Sequence, residues 1–426
     1  MKKISFPYGK EEISYDFEGE RLCGVLVSRL CDYRPMAEGI DLVRAAMAKP
    51  IGSARLAELA AGKKNIVIIA SDHTRPVPSK VIIPPMLEEI RGVNPDAEIT
   101  LLIATGCHRY TKKEELIEKF GEEIVNRERI VIHDCADDDN LVKIGILPSG
   151  GELWINRIAY EADLLISEGF IEPHFFAGFS GGRKSVLPGI AAKQSVLANH
   201  CAEFIAHPSA RTGILNGNPI HEDMLWAAKQ AKLAYVVNVV INEKKEAIYA
   251  VAGDVEAAHL AGCEFLYGLC RAKPIMSDIA ISTNGGYPLD QNIYQAVKGM
   301  TAAEATVKEG GVIIMLAKSN DGHGGESLYR QLADERDIDR ATDAILKRGR
   351  NETVADQWQA QILLRILKRA SVIYVSCADD ALVRDMHLIP AHTIGEALGI
   401  AKSILKNDAP SIVAIPDGIA VMVVDN

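Results

Sequence analysis

A short segment in the first half of the chain combines side chains from which an active site could be built. The segment GFIEPHFFAGFSGGRKSVLPGIA (169–191) contains an imidazole at His174 and the cationic pair Arg183 and Lys184. Histidine exchanges protons near neutral pH, and a lysine amine becomes a nucleophile when an apolar site lowers its pKa. The segment also contains five glycines, and each glycine costs a helix about 1 kcal/mol relative to alanine. The pattern predicts a loop whose backbone must approach something closely.

The motif GFSGGRKS within this segment permits three interpretations. Gly178, Ser180 and Gly182 match the G-x-S-x-G nucleophile elbow of serine hydrolases, but Pro173 interrupts the strand that should lead into the serine. The motif also resembles a phosphate-binding glycine loop, although it lacks the spacing of a P-loop. The third interpretation is a loop that lets a bulky cofactor lie against the backbone and brings Lys184 within its reach.

Further candidate residues occur in polar segments that follow other predicted strands. Arg75, in SDHTRPVPSK, offers a planar guanidinium for a carboxylate or phosphate, although taken alone it is more typical of a surface salt bridge. His108, in TGCHRYT, suits a general base, and a structural histidine is the alternative. His174 precedes two aromatic residues, which favours a functional role. Two histidines on different loops would suit acid–base chemistry on two faces of one carbon.

Common metal-binding motifs do not occur in the chain. There is no H-E-x-x-H, no C-x-x-C and no paired carboxylate spacing typical of a di-metal centre. His200, in SVLANHCAEF, lies on a predicted helix, and spacing alone indicates a packed helical histidine. The residues by themselves therefore do not predict a metal site.

Short β-branched runs alternate with helical patterns along most of the chain, which predicts an α/β protein of two domains with largely parallel sheets. We place the domains at 1–272 and 273–426, because Pro274 interrupts the pattern, and expect loops of both to meet at an interdomain cleft. The segment 111–121 is predicted to be a helix ending at Gly121, 234–254 a hairpin and 255–272 a helix. The predicted strands are 65–70, 98–104, 129–134, 162–167, 278–283, 311–317, 371–376 and 411–416.

Composition limits the classes of partner. The 426 residues have a formal net charge of −10 and contain no run of basic residues, which argues against nucleic acid or an anionic membrane surface as a partner. The N-terminal residues lack the apolar core of a signal peptide, and no apolar stretch approaches 18 residues. Eight scattered cysteines in a chain of this size indicate reduced thiols and a cytoplasmic location.

Taken together, the segments SDHTRPVPSK, ATGCHRYT, GFIEPHFFAGFSGGRKSVLPGIA and LANH resemble the nickel-pincer-dependent lactate racemase family. The resemblance covers almost the whole chain, and the later segment YPLDQNIYQAVKGM and Trp358 also fit it. It implies two α/β domains with the active site between them. It also implies a nickel-pincer nucleotide cofactor, pyridinium-3-thioamide-5-thiocarboxylic acid mononucleotide, which holds nickel through one carbon and two sulfurs and is made by separate maturation enzymes.

The resemblance implies a role for each candidate residue. Lys184 would form the covalent link to the cofactor, His200 would be the protein ligand of nickel, and His108 and His174 would be the acid–base pair. The implied cofactor contacts are Asp72, His73, Thr74, Arg75, Ser180, Gly181, Gly182 and Trp358. The implied substrate contacts are Arg75, Tyr294, Gln295 and Lys298.

The implied reaction is the racemisation or epimerisation of a small 2-hydroxy acid, either lactate or a related carboxylate. One histidine would take the hydroxyl proton while the α-hydrogen leaves as a hydride, which gives a transient 2-keto acid. This route avoids a carbanion beside an ionised carboxylate. Phe175 and Phe176 would suit an aliphatic or aromatic substrate tail better than a second carboxylate, or they are core residues beneath the loop.

Two other functions stay open at this stage. The chain could be a non-catalytic carrier or sensor of the nickel-pincer cofactor, although a carrier would not need both histidines. It could also be a serine hydrolase that uses Ser180, whereas the absence of a G-x-G-x-x-G after a strand disfavours a nicotinamide dehydrogenase. We expect replacement of Arg183 to be milder than replacement of Lys184, because a guanidinium is not a usable nucleophile at neutral pH.

Overall fold

The computed structural model describes residues 3–425, which form two compact units. The first unit contains residues 30–200 and 207–268, and the second contains residues 3–29, 201–206 and 269–425. Each unit is built around its own six-stranded sheet with helices against it. The predicted α/β class with largely parallel sheets is confirmed.

Twenty strands occur among the described residues. They are β1 (Lys3–Tyr8), β2 (Glu11–Asp16), β3 (Arg21–Val25), β4 (Asn65–Ser71), β5 (Glu98–Ala104), β6 (Arg129–Ile132), β7 (Leu141–Ile146), β8 (Glu152–Asn156), β9 (Leu164–Phe170), β10 (Pro173–His174), β11 (Gly178–Phe179), β12 (Leu233–Ile241), β13 (Ala247–Gly253), β14 (Arg271–Ala272), β15 (Ser277–Thr283), β16 (Val307–Leu316), β17 (Ser371–Val375), β18 (Ile389–Ala391), β19 (Ser411–Ile415) and β20 (Met422–Val423).

Sixteen α-helices accompany them in the same residues. They are α1 (Gly39–Ala48), α2 (Leu56–Ala60), α3 (Ser79–Val93), α4 (Lys113–Phe120), α5 (Glu122–Arg127), α6 (Arg157–Tyr160), α7 (Lys193–Asn199), α8 (Ala202–Ala206), α9 (Pro219–Gln230), α10 (Ala257–Cys270), α11 (Ile293–Glu304), α12 (Glu326–Ala333), α13 (Ile338–Leu346), α14 (Gln357–Arg369), α15 (Asp380–Asp385) and α16 (Ile394–Leu405). Each predicted strand and helix overlaps one of these elements. Gly121 ends α4 as expected, with φ at +89°.

The sheet of the first unit has the strand order β13-β12-β9-β4-β5-β6. All neighbouring strands are parallel except β12 and β13, which form the predicted antiparallel hairpin. The central strand β4 buries all five residues from Ile66 to Ala70, as expected of a parallel strand covered on both faces. Three of them, Ile66, Ile68 and Ala70, pack into one core with residues of β5 and α3. The core fixes β9, β4 and β5 side by side.

The sheet of the second unit has the strand order β18-β17-β16-β15-β19-β3, and all of its strands are parallel. Its edge strand β3 comes from the N-terminal end of the chain, and Phe6 and Phe17 are fully buried in its core. No local pattern in the sequence indicates this pairing. The division of the chain into domains at 1–272 and 273–426 stays a prediction. The second compact unit contains most of the predicted C-terminal domain and, in addition, residues 3–29.

Among residues 3–425, no helix is both long enough and apolar enough to cross a membrane. The fold therefore contains no candidate helical span within those residues.

We expect Phe17→Ala to lower the free energy of unfolding of the protein by about 3–5 kcal/mol, because it leaves a cavity in the core of the second unit. Val25→Ala, in the same N-terminal segment but 40% exposed, is the control and should change it by less than about 1 kcal/mol. Urea unfolding of both variants measures the difference. Equal losses would show that Phe17 adds nothing specific to this core.

Candidate active site

Six of the predicted site residues follow three neighbouring strands of the first unit. Residues 72–75 follow β4, His108 follows β5, and His174 follows β9. These strands are parallel and adjacent in the order β9-β4-β5, so their carboxyl ends lie at the same edge of the sheet. Open α/β sheets bind ligands at this edge. The topology therefore gathers residues that are about 100 positions apart in sequence.

A buried carboxylate orients His108. Asp72 Oδ2 accepts a hydrogen bond from His108 Nδ1 at 2.8 Å, and Asp72 Oδ1 accepts one from Thr74 Oγ1 at 2.7 Å. Burial alone would raise the pKa of Asp72, but the hydrogen bond and charge of His108, with Thr74 and Arg75, hold this pKa below its ordinary value. Because Nδ1 carries the proton in this contact, the Nε2 lone pair of neutral His108 points away from Asp72. His108 is arranged as a proton acceptor.

Arg75 and His73, which also follow β4, have different surroundings from Asp72. The Arg75 side chain is exposed, and it forms no ion pair within residues 3–425, so the predicted salt-bridge alternative has no partner there. His73 Nδ1 lies 3.0 Å from Thr111 Oγ1, and burial lowers the pKa of His73 despite the charges of Asp72 and Glu115. Arg75 is thus a cation at the sheet edge, and His73 is held as a neutral ring.

Phe176 brings three other predicted site residues together. Its buried ring lies 4.5 Å from the His174 ring and 5.1 Å from the His200 ring, centroid to centroid. Lys184 Nζ lies 5.9 Å from the same centroid. The neighbouring Phe175 is buried as well and contacts both His174 and Phe176. The residues predicted as base, nickel ligand and covalent link therefore surround one aromatic side chain.

His174 has the opposite tautomer from His108. The backbone N–H of Ala177 donates to His174 Nδ1 at 3.2 Å, so the proton of the neutral ring is on Nε2. In this conformation His174 is arranged as a hydrogen-bond donor. To accept a proton through Nε2, it must move its own proton to Nδ1 and open the contact with Ala177.

His200 is a neutral imidazole at the end of α7. Its Nδ1 donates to the Val196 carbonyl at 3.0 Å, which leaves the lone pair on Nε2. Burial, with the nearby charge of Lys184, lowers the pKa of His200 to about 3. A ring held in one neutral tautomer is suited to donate a nitrogen lone pair to a divalent metal. Within residues 3–425 no group of three or more His, Cys, Asp and Glu side chains is arranged to hold a metal ion.

The glycines of the segment 169–191 are required by the protein's own packing. Gly178 has φ of +77°, and a Cβ there would lie 2.3 Å from the Ile214 carbonyl oxygen. Gly181 has φ of +81°, and a Cβ there would lie 2.8 Å from the Phe170 carbonyl oxygen. The close approach predicted from sequence is therefore made by neighbouring backbone.

The amides and hydroxyl of the same motif are also bonded within the protein. The N–H of Gly182 donates to Asn238 Oδ1 at 2.7 Å, and the N–H of Ser180 donates to the Glu172 carbonyl at 2.9 Å. The Ser180 hydroxyl donates to the Glu172 carboxylate at 3.3 Å, and Ser180 follows the two-residue strand β11 outside the main sheet. A nucleophile elbow needs a long strand and a histidine partner, so the serine hydrolase alternative is not supported.

Arg183 is one of the largest fully buried side chains of the protein. Its Nη2 donates to the Ala177 carbonyl at 2.8 Å, and its Nη1 lies 2.9 Å from His259 Nε2 and 3.3 Å from the Gly181 carbonyl. Burial lowers the pKa of Arg183 to about 10. The side chain thus ties both ends of the turn that precedes Lys184, which gives Arg183 a structural role in addition to the comparison with Lys184 as a nucleophile.

Four of the predicted residues lie in the second unit. Asn292 caps α11 by accepting from the Gln295 N–H at 3.0 Å, which sets the first turn of the helix. The half-buried side chains of Tyr294, Gln295 and Lys298 follow, and Lys298 Nζ donates to Gln295 Oε1 at 2.7 Å. Trp358, also half-buried, is in the first turn of α14, which packs against α11.

Comparison with known proteins assigns the family. Residues 8–213 match the lactate racemase N-terminal domain, and residues 272–423 match the lactate racemase C-terminal domain. The chain is 54% identical over 424 residues to the lactate racemase of Thermoanaerobacterium thermosaccharolyticum, which is 99% of both chains. It is equally identical to the lactate racemase of Lactiplantibacillus plantarum over 99% of the chain and 100% of that protein. The chain belongs to the lactate racemase family.

Solved structures agree with this assignment. The lactate racemase apoprotein of T. thermosaccharolyticum has a TM-score of 0.95 and 54% identity, and the match covers 99% of the chain and 100% of that structure. A Thermotoga maritima protein with 19% identity and a TM-score of 0.66, over 90% of the chain and 98% of its own, shares the fold. The family resemblance inferred from the sequence is confirmed, and the protein is an isomerase of the racemase class.

Sequence reasoning predicts residues of this candidate site but misses some of their contacts. Asp72 was assigned to the cofactor, and its contact with His108 was not foreseen, although an acidic residue directly after a strand is a signal for such a contact. Asn238 and His259, which hold the turn before Lys184, lie in a strand and a helix without any local signal.

We expect Arg183→Lys to lower the free energy of unfolding by about 1–3 kcal/mol, because a single ammonium cannot replace the forked donor to buried acceptors. Arg127→Lys, where the arginine is exposed beside Glu128, is the matched control and should cost less than about 1 kcal/mol. Chemical denaturation of both variants measures the difference. A loss no larger than that of the control would contradict the structural role of Arg183.

Proposed function

We propose that this protein interconverts the enantiomers of lactate, or of a closely related 2-hydroxy acid, with a covalently bound nickel-pincer nucleotide. The observation that carries the proposal is the meeting of His174, Lys184 and His200 around Phe176. These residues could supply proton transfer, covalent attachment and metal ligation, and nothing in their local sequence requires them to meet. The two lactate racemases with 54% identity support lactate as the substrate.

The side chains around Phe176 fit such a group. A pincer that brings one carbon and two sulfurs to the metal needs one further donor, and the buried neutral His200 presents its Nε2 lone pair. Lys184 would carry the group through a thioamide. The chemistry supplied by the bound group would be reversible acceptance of the substrate α-hydrogen with its electron pair, which no side chain can supply.

The remaining steps belong to the protein. Arg75, an exposed cation at the same sheet edge, would bind the substrate carboxylate. His108, whose Nδ1 is bonded to Asp72, would take the hydroxyl proton at Nε2 as the 2-keto acid forms. The ionised Asp72 would stabilise the imidazolium that results. General-base help of this kind typically contributes 10²–10⁴-fold to the rate.

His174 would take the hydroxyl proton of the other enantiomer. Its present tautomer donates from Nε2, whereas that of His108 accepts there. The contact between Ala177 and His174 Nδ1 must open when His174 becomes the base. Because this contact is 3.2 Å long, it is a weak restraint compared with the 2.8 Å bond between Asp72 and His108.

We also assign the second-unit residues to this reaction. Lys298 and Gln295, which are hydrogen-bonded to each other, would contact the substrate together with Tyr294, and Trp358 would contact the cofactor. Cofactor roles for Asp72, His73 and Thr74 are consistent with their place at the end of β4. For Ser180, Gly181 and Gly182 the support is the family resemblance.

The proposed function also implies partners and a location in the cell. The partners would be the maturation enzymes that make the nickel-pincer group and the small hydroxy acid itself. The sequence pattern of eight scattered cysteines without a C-x-x-C pair supports a cytoplasmic location.

We expect Lys184→Ala, co-expressed with the maturation enzymes, to lack the mass increase that the parent protein carries. The reason is that the variant has no amine at the position that would form the thioamide. Lys193→Ala, which removes an exposed lysine of the same unit, should keep the full increase. Intact-protein mass spectrometry measures both, and an undiminished adduct on the Lys184 variant would contradict the covalent assignment.

We expect His108→Ala and His174→Ala each to block racemisation in both directions, because each full conversion needs both bases. Each variant should still form bound 2-keto acid from one enantiomer in a single turnover, and the two variants should prefer opposite enantiomers. One histidine cannot serve both hydroxyl positions, because a base must lie within about 2.6–3.2 Å of the group that it deprotonates. Quenching and chromatographic analysis of the keto acid measures the preference.

His207→Ala, which removes an exposed histidine, is the control for this experiment and should racemise both enantiomers like the parent. If the His108 and His174 variants respond alike to both enantiomers, the two-base assignment is wrong.

A further inference from the structure

The loop between β4 and α3 (residues 72–78) is held at both ends by one buried carboxylate. Glu168 Oε1 accepts hydrogen bonds from the N–H and the hydroxyl of Ser71, both at 2.8 Å, and from the hydroxyl of Ser79 at 3.1 Å. Ser71 is the last residue of β4, and Ser79 is the first residue of α3. Glu168 is buried on the neighbouring strand β9, so water does not compete for these donors. The separation of the two loop ends is therefore fixed.

Lys119, near the end of α4, holds the middle of the same loop. Its Nζ donates to the Arg75 carbonyl at 3.0 Å and lies 3.4 Å from the Val77 carbonyl oxygen. Backbone carbonyls in a loop lack the regular partners of a helix or sheet, so a side-chain donor is a common substitute. Burial lowers the pKa of Lys119, whereas the charges of Glu168 and Asp72 act in the opposite direction.

Asp72 closes a turn between these two restraints. Its Oδ1 accepts from Thr74 Oγ1 at 2.7 Å and from the Thr74 N–H at 3.2 Å, and its carbonyl accepts from the Arg75 N–H at 3.3 Å. Its other oxygen, Oδ2, lies 2.8 Å from His108 Nδ1. Asp72 directly follows the loop end that the buried carboxylate holds, and Arg75 provides the carbonyl that Lys119 binds. Displacement at either restraint therefore moves a group of the active site.

We propose that Glu168 and Lys119 are positioning residues for racemisation, and that they act on different steps because they hold different parts of the loop. Glu168 acts through the end of β4 on Asp72 and thereby on the base His108. Lys119 acts through the backbone of Arg75 on the guanidinium that binds the substrate carboxylate. This inference rests on the proposed function, in which His108 takes the hydroxyl proton and Arg75 binds the substrate.

The two positions predict different kinetic effects. The contact of Arg75 with the carboxylate exists in the bound substrate and in the transition state alike, so its displacement should raise KM and leave kcat nearly unchanged. The contact of Asp72 with His108 strengthens as the imidazolium forms in the transition state, so its displacement should lower kcat. A residue that only stabilised the fold would reduce the yield of folded enzyme and leave both constants unaltered.

The test uses the full-length, cofactor-loaded enzyme with each enantiomer of lactate. Lys119→Met keeps the length of the side chain but removes its donor, and it should raise KM about tenfold, as expected for the loss of a hydrogen bond from a charged group. Glu168→Met should lower kcat roughly 10²-fold, which is within the range expected when general-base help is lost. Glu168→Gln should keep most of kcat, because its amide oxygen can accept the same three hydrogen bonds and Oε2 accepts none from residues 3–425.

The matched controls replace exposed side chains and should keep the parental constants. They are Lys113→Met in the same helix as Lys119 and Glu98→Met in the same sheet as Glu168. If Glu168→Met does not fold, Ser79→Ala tests the same oxygen, because it removes one of the three donors and should lower kcat about threefold.

Hydrogen exchange of the peptide 71–78 gives a readout that needs no activity. Measured by mass spectrometry on the same samples, it should be faster in Lys119→Met and Glu168→Met than in either control, because backbone groups of the loop lose their restraint.

The outcomes separate the two proposals. Parental exchange in both variants would overturn the inference that these residues hold the loop. Faster exchange with unchanged kcat and KM would overturn their positioning role, and so would equal changes of both constants in the two variants. A loaded parent enzyme that does not racemise lactate would refute the proposed function, whereas the exchange measurement would still test the hold on the loop.

Discussion

The parallel alignment of β9, β4 and β5 is the constraint on which the first unit depends. Each strand is buried along most of its length, so the chain must return over the sheet before it can begin the next parallel strand. The loops that follow these three strands consequently lie at one edge of the sheet. The loops can carry polar and ionisable side chains because the buried sheet beneath them holds their ends in place.

Burial then determines the charge of each group at this edge. Asp72 stays ionised although it is buried, because His108 and Thr74 donate hydrogen bonds to both of its oxygens. His200 stays neutral, because burial removes it from water and Lys184 adds a positive charge nearby. The same edge therefore holds an anion that orients a base and a neutral ring that can donate a lone pair. Proton transfer by His108 requires the ionised Asp72, and metal ligation requires His200 to be neutral.

The turn before Lys184 shows how a reactive amine is given a fixed position. A flexible loop of small residues would hold a lysine poorly, but this one is fixed by the buried Arg183 fork and by the Asn238 amide. The glycines allow the backbone to pack against its own carbonyls, and the aromatic ring of Phe176 limits the space available to the amine. In the second unit, α11 packs closely against the end of β15, because a Cβ at Gly299 would lie 2.2 Å from the Thr283 carbonyl oxygen.

The sequence by itself determined the α/β class, the family, the candidate residues and part of the secondary structure, namely eight strands, one hairpin and two helices, since these depend on local periodicity and on motifs read along the chain. Tertiary structure decided which residues meet. The contact of Asp72 with His108 and the burial of Phe17 in the core of the second unit join residues that share no local pattern. The reason is physical: periodicity reports which face of an element is buried, whereas the partner of that face depends on the packing of the whole chain.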